Sequence, residues 1–308
     1  MTYGSPSSLD DVPRYLSAVR GGREATPETV AEFRRRYEVI GGSPLVAITT
    51  AQAAALEVRI GGRAIVRAGM RFSEPSIESA LRDLAGEGVR RVAAIILSPQ
   101  YSLLIMGGYH RAVEAARAAL GDGSLGVDIE VTVAGAWHRE PAFIDALAGR
   151  ISEALGRLPA AEARTTPVLL TAHSLPRRIA DEEPGYLAQL SETAEAIAAS
   201  AGLAPDRWRF CWQSAGHEPG EWMKPDLAEL MPELAAAGHA SVLVAPVQFL
   251  ADHLEILYDL DVAARGQAEA AGLRFTRIES LNTSPRFIDA LASVAMAEAA
   301  EVESTASA

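Results

Sequence analysis

An eight-residue phrase occurs twice in this chain, and it restricts the possible folds more than any other feature. Pro141-Ala-Phe143-Ile-Asp145-Ala-Leu-Ala148 returns as Pro285-Arg-Phe287-Ile-Asp289-Ala-Leu-Ala292 with one position changed. The offset is 287 − 143 = 144 residues. A second pair has a similar spacing. Gly88, an apolar run and Pro99-Gln100-Tyr101 are matched by Gly238, an apolar run and Pro246-Val-Gln248-Phe249, with a glycine offset of 238 − 88 = 150. Offsets this long at distant points predict two copies of one unit, because solenoids repeat every ~20–50 residues.

The unit is an alternation of strand and helix. In the first half the patterns predict helices at 27–40, 48–57, 75–85, 109–120 and 141–158, after a weak helical signal at 8–19. Strands are predicted at 63–70, 89–97 and 127–134. In the second half strands at 168–172, 208–212, 240–245 and 275–278 alternate with helices at 186–201, 226–237, 253–271 and 285–297. Such alternation predicts parallel sheets covered by helices. The expected division is a first half over 1–158, a second half over 159–298 and a frayed tail over 299–308, with a linker at 158–166. The repeat also predicts a gap. Met1-Thr-Tyr3-Gly-Ser-Pro6 parallels Leu170-Thr-Ala-His173-Ser-Leu-Pro176, yet no strand precedes it. The first-half sheet is therefore expected to lack its first strand, with a natural start roughly ten residues upstream of Met1.

Composition narrows the function classes. A net charge of −12 over 308 residues argues against a nucleic-acid partner, because phosphate neutralisation needs clustered Lys and Arg. No apolar run approaches the ~18 residues of a membrane span. The start has neither the basic nor the apolar region of a secretory signal. The single cysteine, Cys211, excludes an intrachain disulfide and any all-cysteine cluster within one chain. A cytoplasmic location is expected.

Chemistry is expected at the carboxyl ends of two apolar runs, where open α/β sheets bind ligands. One run ends in His173 and the other leads into Asp252-His253-Leu-Glu255-Ile-Leu-Tyr258-Asp259. On a continuous helix Glu255 and Asp259, spaced i, i+4, would share a face. With His173 they could bind a divalent metal or move protons. A solvated helix face beside a satisfied histidine fits the same spacing. His253 reads as a supporting group. Arg20 and Arg23 flank Gly21-Gly22 and read as a solvated loop or as a carboxylate clamp. His110, His138, His217 and His239 lack metal-ligand spacing. No dinucleotide fingerprint, P-loop or Gly-x-Ser-x-Gly elbow occurs.

Several ordered motifs resemble the ferrochelatases from Met1 to about Val294. The most specific are Thr171-Ala-His173-Ser-Leu-Pro176, Trp212-Gln-Ser214 with Pro225-Asp226, and Pro246-Val-Gln-Phe through to His253-Leu-Glu255-Ile-Leu-Tyr258-Asp259. Tyr3-Gly-Ser-Pro6, Arg36 to Pro44, Pro99-Gln-Tyr101-Ser102 and Leu281-Asn282 support them. The resemblance implies two similar Rossmann-like halves with a porphyrin cleft between them. It implies insertion of Fe²⁺, as substrate, with release of two protons. It gives His173 and Glu255 the metal-site and catalytic roles, with Asp259 as a weaker metal-site member. Tyr3, Arg20 and Ser43, and more weakly Arg23 and Ser102, are implied to bind the porphyrin. Gly21 stands where some relatives have a second arginine, and Ala263 where some are acidic. Short soluble bacterial members are monomers acting on coproporphyrin III, and this chain looks most like them. No tightly bound cofactor and no iron–sulfur cluster are expected. The competing readings are a protoporphyrin IX ferrochelatase, a cobalt- or sirohydrochlorin-type chelatase, and a non-catalytic tetrapyrrole carrier. Glu255 opposite His173 argues against the second, whose members tend to use two histidines.

Overall fold

The computed structural model describes residues 1–121, 128–216 and 220–305, the side chains of 301–305 excepted. His217, residues 122–127 of the expected turn and strand, and residues 306–308 lie outside the described residues.

In chain order the elements are α1 (Val12–Val19), α2 (Pro27–Val39), α3 (Leu45–Arg59), α4 (Ile77–Gly86), β1 (Arg91–Ala94), α5 (Leu103–Gly121), β2 (Glu130–Val133) and α6 (Pro141–Gly156). There follow α7 (Ala160–Ala163), β3 (Val168–His173), α8 (Arg177–Glu182), α9 (Pro184–Ser200), β4 (Trp208–Gln213), α10 (Leu227–Ala236) and β5 (Ser241–Pro246). The chain then passes through α11 (Leu254–Leu257), a π-helix (Asp259–Ala264), α12 (Arg265–Ala270), β6 (Arg274–Arg277) and α13 (Pro285–Thr305). Short 3₁₀ turns stand before α1 and β4.

Two compact units result. One comprises Met1–Trp137 with Asn282–Ala308, the other His138–Leu281. The second holds a four-stranded, all-parallel sheet in the order β4-β3-β5-β6. Its central strands read as near-continuous apolar runs because helices cover both faces. Val168, Leu169, Leu170, Val242, Val244 and Ala245 are all fully buried. The core beneath includes Cys211, Leu230, Met231, Ile256 and Leu260.

The first unit has β1 and β2 paired in parallel. Beside β1 lies Met1, which bonds to Ile95 O and accepts from Leu97 N–H at 2.9 Å. Thr2 bridges in parallel to Met70. Across this sheet the order is Met70, Thr2, the β1 segment and β2, which is the order of β4-β3-β5-β6. The expected strand at 63–70 is irregular up to Met70, which bridges Thr2 on one side and Ser76 on the other. Its backbone pairing is confined to Gly69 and Met70, which bond to Thr2, Pro75 and Ile77, and Val66 N–H turns to the Glu57 carboxylate at 2.7 Å instead.

The repeat is visible in the backbone. Met70 N–H donates to Pro75 O and Trp212 N–H to Pro225 O. Both prolines follow cis peptide bonds. Each leads into a capped helix: Ser76 accepts from Ser79 N–H, and Asp226 forms a capping box with Glu229. Gly88 and Gly238 close these helices at φ +85° and +87°, where a side chain is disfavoured.

The twin octapeptides mark a difference from the expected boundary at 158. α6 follows the last strand of the first repeat but packs on α9 and β5 of the second unit. α13 follows the last strand of the second repeat but packs on α3 and β1 of the first. Each repeat thus donates its closing helix to the other unit. Phe143 and Phe287 are both fully buried anchors. Asp145 accepts from Ser200 Oγ at 2.8 Å, and Asp289 pairs with Arg59. The expected linker at 158–166 is not the boundary. It contains α7, and Thr166 is buried with its hydroxyl 2.8 Å from that of Ser241. The tail expected to fray from 299 continues α13 to Thr305, as a run rich in Ala and Glu favours. Among the described residues no helix is long and apolar enough to cross a membrane.

Candidate active site

The second unit brings His173 and Glu255 together. β3 and β4 are joined on one side of the sheet, while β5 continues to β6 on the other. The carboxyl ends of β3 and β5 therefore flank the point where the strand order reverses, the usual ligand crevice of such sheets. His173 is the last residue of β3, and Glu255 sits in α11, nine residues beyond the end of β5. Their Nε2 and Oε2 atoms are 3.6 Å apart, with the side chains 32% and 36% exposed. The pair is thus open to solvent or ligand on one side and supported by the sheet on the other.

Hydrogen bonding selects the histidine tautomer. His173 Nδ1 lies against the main-chain carbonyl of Ser174 and must carry a proton to bond there, which turns Nε2 toward Glu255. His253 repeats the pattern, with Nδ1 2.9 Å from Ala251 O and Nε2 4.0 Å from the same Glu255 oxygen. Phe249 lies between the two imidazoles, its ring 6.4 Å from His173 and 4.7 Å from His253 by centroids.

Two glutamines hold this arrangement, and the sequence reading assigned them no role. Gln248 Oε1 accepts from His173 N–H at 2.8 Å, and its Nε2 donates to the Tyr186 hydroxyl. Gln213 Oε1 accepts from Thr171 Oγ1 at 2.5 Å, and its Nε2 reaches Glu255 O at 3.5 Å. Thr171 is wholly buried and Gln213 nearly so, so these groups must find partners inside the protein. Burial pushes the Tyr186 hydroxyl well above the ordinary phenol range, so it stays protonated. Ser214, next to Gln213, takes a left-handed backbone at φ 57°. The available signal was polar side chains at the ends of otherwise apolar strands, where only a partnered group is tolerated.

The loop bearing His253 and Glu255 is fixed from β6. Arg277 makes a bidentate pair with Asp261 at 2.9 and 2.7 Å and approaches Asp252 at 3.6 Å. Burial opposes its charge, and the Asp261 carboxylate more than restores it, so the guanidinium pKa is raised. The continuous helix expected over 253–271 is interrupted. Asp259 opens a π-helix, in which Ala263 N–H donates five residues back to Tyr258 O. The i, i+4 geometry that placed Glu255 and Asp259 on one face therefore does not continue past Tyr258. Among the described residues no three His, Cys, Asp or Glu side chains form a group able to hold a metal. His173 with Glu255 is a pair. Cys211 is buried under the sheet and its thiol pKa is raised by desolvation, which makes it unreactive.

The first unit carries the other predicted residues. Tyr3 is 38% exposed, and its carbonyl accepts from Phe72 N–H at 3.0 Å. Ser43 lines a hollow of about 540 Å³ with Pro6, Leu9, Tyr37, Gly42 and Pro44. The loop that forms this hollow with it is tied down by Asp11. That carboxylate accepts from Ser7 N–H at 2.9 Å and pairs with Arg14, which chiefly holds its pKa at about 2. Arg20 closes α1 and is exposed, as is Arg23, whose Nε donates to Arg20 O at 3.1 Å. Neither lines the hollow. Ser102 is buried, and its hydroxyl accepts from Ile105 N–H at 3.2 Å, which caps α5.

Known proteins resemble the chain along its whole length. The family profile described as Ferrochelatase matches residues 1–299. A protein named ferrochelatase from Deinococcus radiodurans is 39% identical over 98% of this chain and 95% of its own. Proteins named coproporphyrin III ferrochelatase are 36% identical in Geobacillus kaustophilus, over 98% and 95%, and 33% identical in Bacillus subtilis, over 96% and 95%. Among solved structures, SirB from Bacillus subtilis with Fe³⁺ superposes with a TM-score of 0.57 at 13% identity, covering 83% of this chain and 91% of SirB. That likeness shows a shared fold.

Proposed function

The chain belongs to the ferrochelatase family, and from that premise we propose that it inserts Fe²⁺ into coproporphyrin III with His173 and Glu255 moving the protons. The observation that carries this reading is His173 Nε2 turned toward a carboxylate 3.6 Å away, at the carboxyl end of a central strand. Insertion breaks two pyrrole N–H bonds and replaces them by bonds to iron, so two protons must leave. His173 Nε2 accepts a proton, and Glu255, with one side open to water, passes it on. The same nitrogen and oxygen donors suit Fe²⁺ as it arrives as substrate. Asp259, at the start of the π-helix, serves this site as an outer group. Tyr3, Arg20 and Ser43 of the first unit serve the porphyrin, with Arg23 available to its carboxylates through a guanidinium fork. The coproporphyrin assignment rests on the relatives that carry that name.

Anaerobic metallation by the purified chain tests the reading, with Fe²⁺ against Co²⁺ and coproporphyrin III against protoporphyrin IX. Iron with coproporphyrin is expected to react fastest. His173→Ala and Glu255→Gln are expected to lower insertion by on the order of 10²–10⁴ while porphyrin binding, followed by absorbance, persists. Preference for cobalt and an early polar tetrapyrrole would favour the sirohydrochlorin-type reading. Tight binding without insertion by the unaltered chain would make it a carrier.

A further inference from the structure

In the first unit the guanidinium of Arg71 is enclosed by three aromatic rings. Its Cζ lies 5.1 Å from the centroid of Tyr3, 4.5 Å from that of Phe72 and 5.0 Å from that of Tyr109. The rings also touch one another. Tyr3 and Phe72 are 5.3 Å apart and tilted by 57°, and Tyr3 meets Tyr109 edge-on at 5.9 Å. Among the described residues the guanidinium has no hydrogen-bond or ion-pair partner, so the rings alone hold it.

We propose that Arg71 is a positioning residue for Tyr3, holding the tyrosine ring at a fixed tilt by stacking a cation on it. The proposal rests on the reading above that Tyr3 serves the porphyrin. A cation over a ring face is attracted by the ring quadrupole, and an arginine adds planar stacking. The backbone ties their neighbouring residues together. Arg71 N–H donates to Thr2 O, and Phe72 N–H to Tyr3 O, each at 3.0 Å. Tyr109, buried on α5, closes the cage from behind. Tyr3 itself is more than one-third exposed, so Phe72, Tyr109 and Arg71 are what restrain its ring.

The space for the guanidinium is made by Gly108. A Cβ on that residue would overlap the Cζ and both terminal nitrogens of Arg71. The next glycine on the same helix, Gly107, has ordinary room, with Arg111 Nη1 3.4 Å from where its Cβ would be. Gly108→Ala therefore dislodges Arg71 without altering either Arg71 or Tyr3, and Gly107→Ala is its matched control.

The test compares Arg71→Met, Gly108→Ala, Gly107→Ala and Tyr3→Phe in the full chain. The first readout is the ring signal of Tyr3 in protein carrying ¹³C-labelled tyrosine, assigned by its loss in Tyr3→Phe. It is expected to shift or broaden alike in Arg71→Met and Gly108→Ala and to stay in place in Gly107→Ala. The second readout is steady-state insertion. kcat is expected to fall on the order of 10-fold or more in both variants, with the porphyrin KM within about twofold, since misplacing a group costs turnover more than binding. An unmoved Tyr3 signal in either variant overturns the proposal. So does a moved signal with unchanged kcat when Tyr3→Phe lowers kcat. If the signal moves and Tyr3→Phe leaves insertion intact, the positioning stands and the role given to Tyr3 in the reaction falls.

Discussion

His173 and His253 each direct Nδ1 to a main-chain carbonyl, so both turn Nε2 toward one Glu255 oxygen. That geometry depends on groups that never face a ligand. Gln248 accepts from His173 N–H, and Gln248→Leu would leave that donor without its acceptor at the end of a buried strand. An unsatisfied buried donor costs about 1–3 kcal/mol. The expected result is a loss of that size in urea unfolding, together with lower turnover and little change in porphyrin affinity. Gln248→Glu, which keeps the acceptor oxygen, should recover much of both. His173 was legible from sequence because a polar residue ending an apolar strand needs a reason to be there. The role of Gln248 is not legible in the same way, since its partner is a backbone N–H on the neighbouring strand. Arg71 was invisible for a similar reason. Its three rings come from residues 3, 72 and 109, and no periodicity links them.

At the scale of elements, the segment from Asp252 to Asp261 is held at both ends by the terminus of β6. Arg277 pairs bidentately with Asp261, and Ser280 Oγ donates to Asp252 Oδ1 at 2.7 Å. Between those anchors lie His253 and Glu255. Arg277 is only 13% exposed, so removing it strands two carboxylates in a poorly solvated site. Arg277→Met is expected to destabilise the second unit by about 3–5 kcal/mol, read from the urea midpoint at unchanged m-value. It should also raise the KM for Fe²⁺ more than that for porphyrin, because the loop it frees carries Glu255. An unchanged midpoint would show that the pair carries no structural load. The strands and most helices of this half were legible within a few residues, since apolar runs and caps are local signals. The π-helix was not. Asp259-Leu-Asp-Val-Ala-Ala has ordinary helical composition, and nothing local in it marks the shift to a five-residue bond.

At the scale of the molecule, the repeat was readable but the membership of its last helix was not. The octapeptides at 141–148 and 285–292 end their respective repeats in sequence, and each is built into the other unit. Local patterning shows that a helix has an apolar face and cannot show which of two similar sheets will cover it. The two sheets offer similar surfaces, so the exchange is settled by where the preceding loop delivers the helix. A pair of substitutions separates this arrangement from a simple tandem. Phe143 and Phe287 are the buried anchors of α6 and α13, and replacing either by alanine should cost about 3–5 kcal/mol. In a tandem, Phe287→Ala would loosen the unit that contains β3 to β6. With exchanged helices, Phe287→Ala should speed amide hydrogen exchange in α3 and β1, against which α13 packs, and leave β3 and β5 slow. Phe143→Ala should do the reverse, loosening α9 and β5 while α3 stays protected. Loss of protection confined to the sequence-adjacent unit in both variants would refute the exchange. The crossed pattern would also explain why neither half of the chain, cut at 158, should fold alone: each would carry a helix with no sheet of its own to cover and a sheet missing one of its helices.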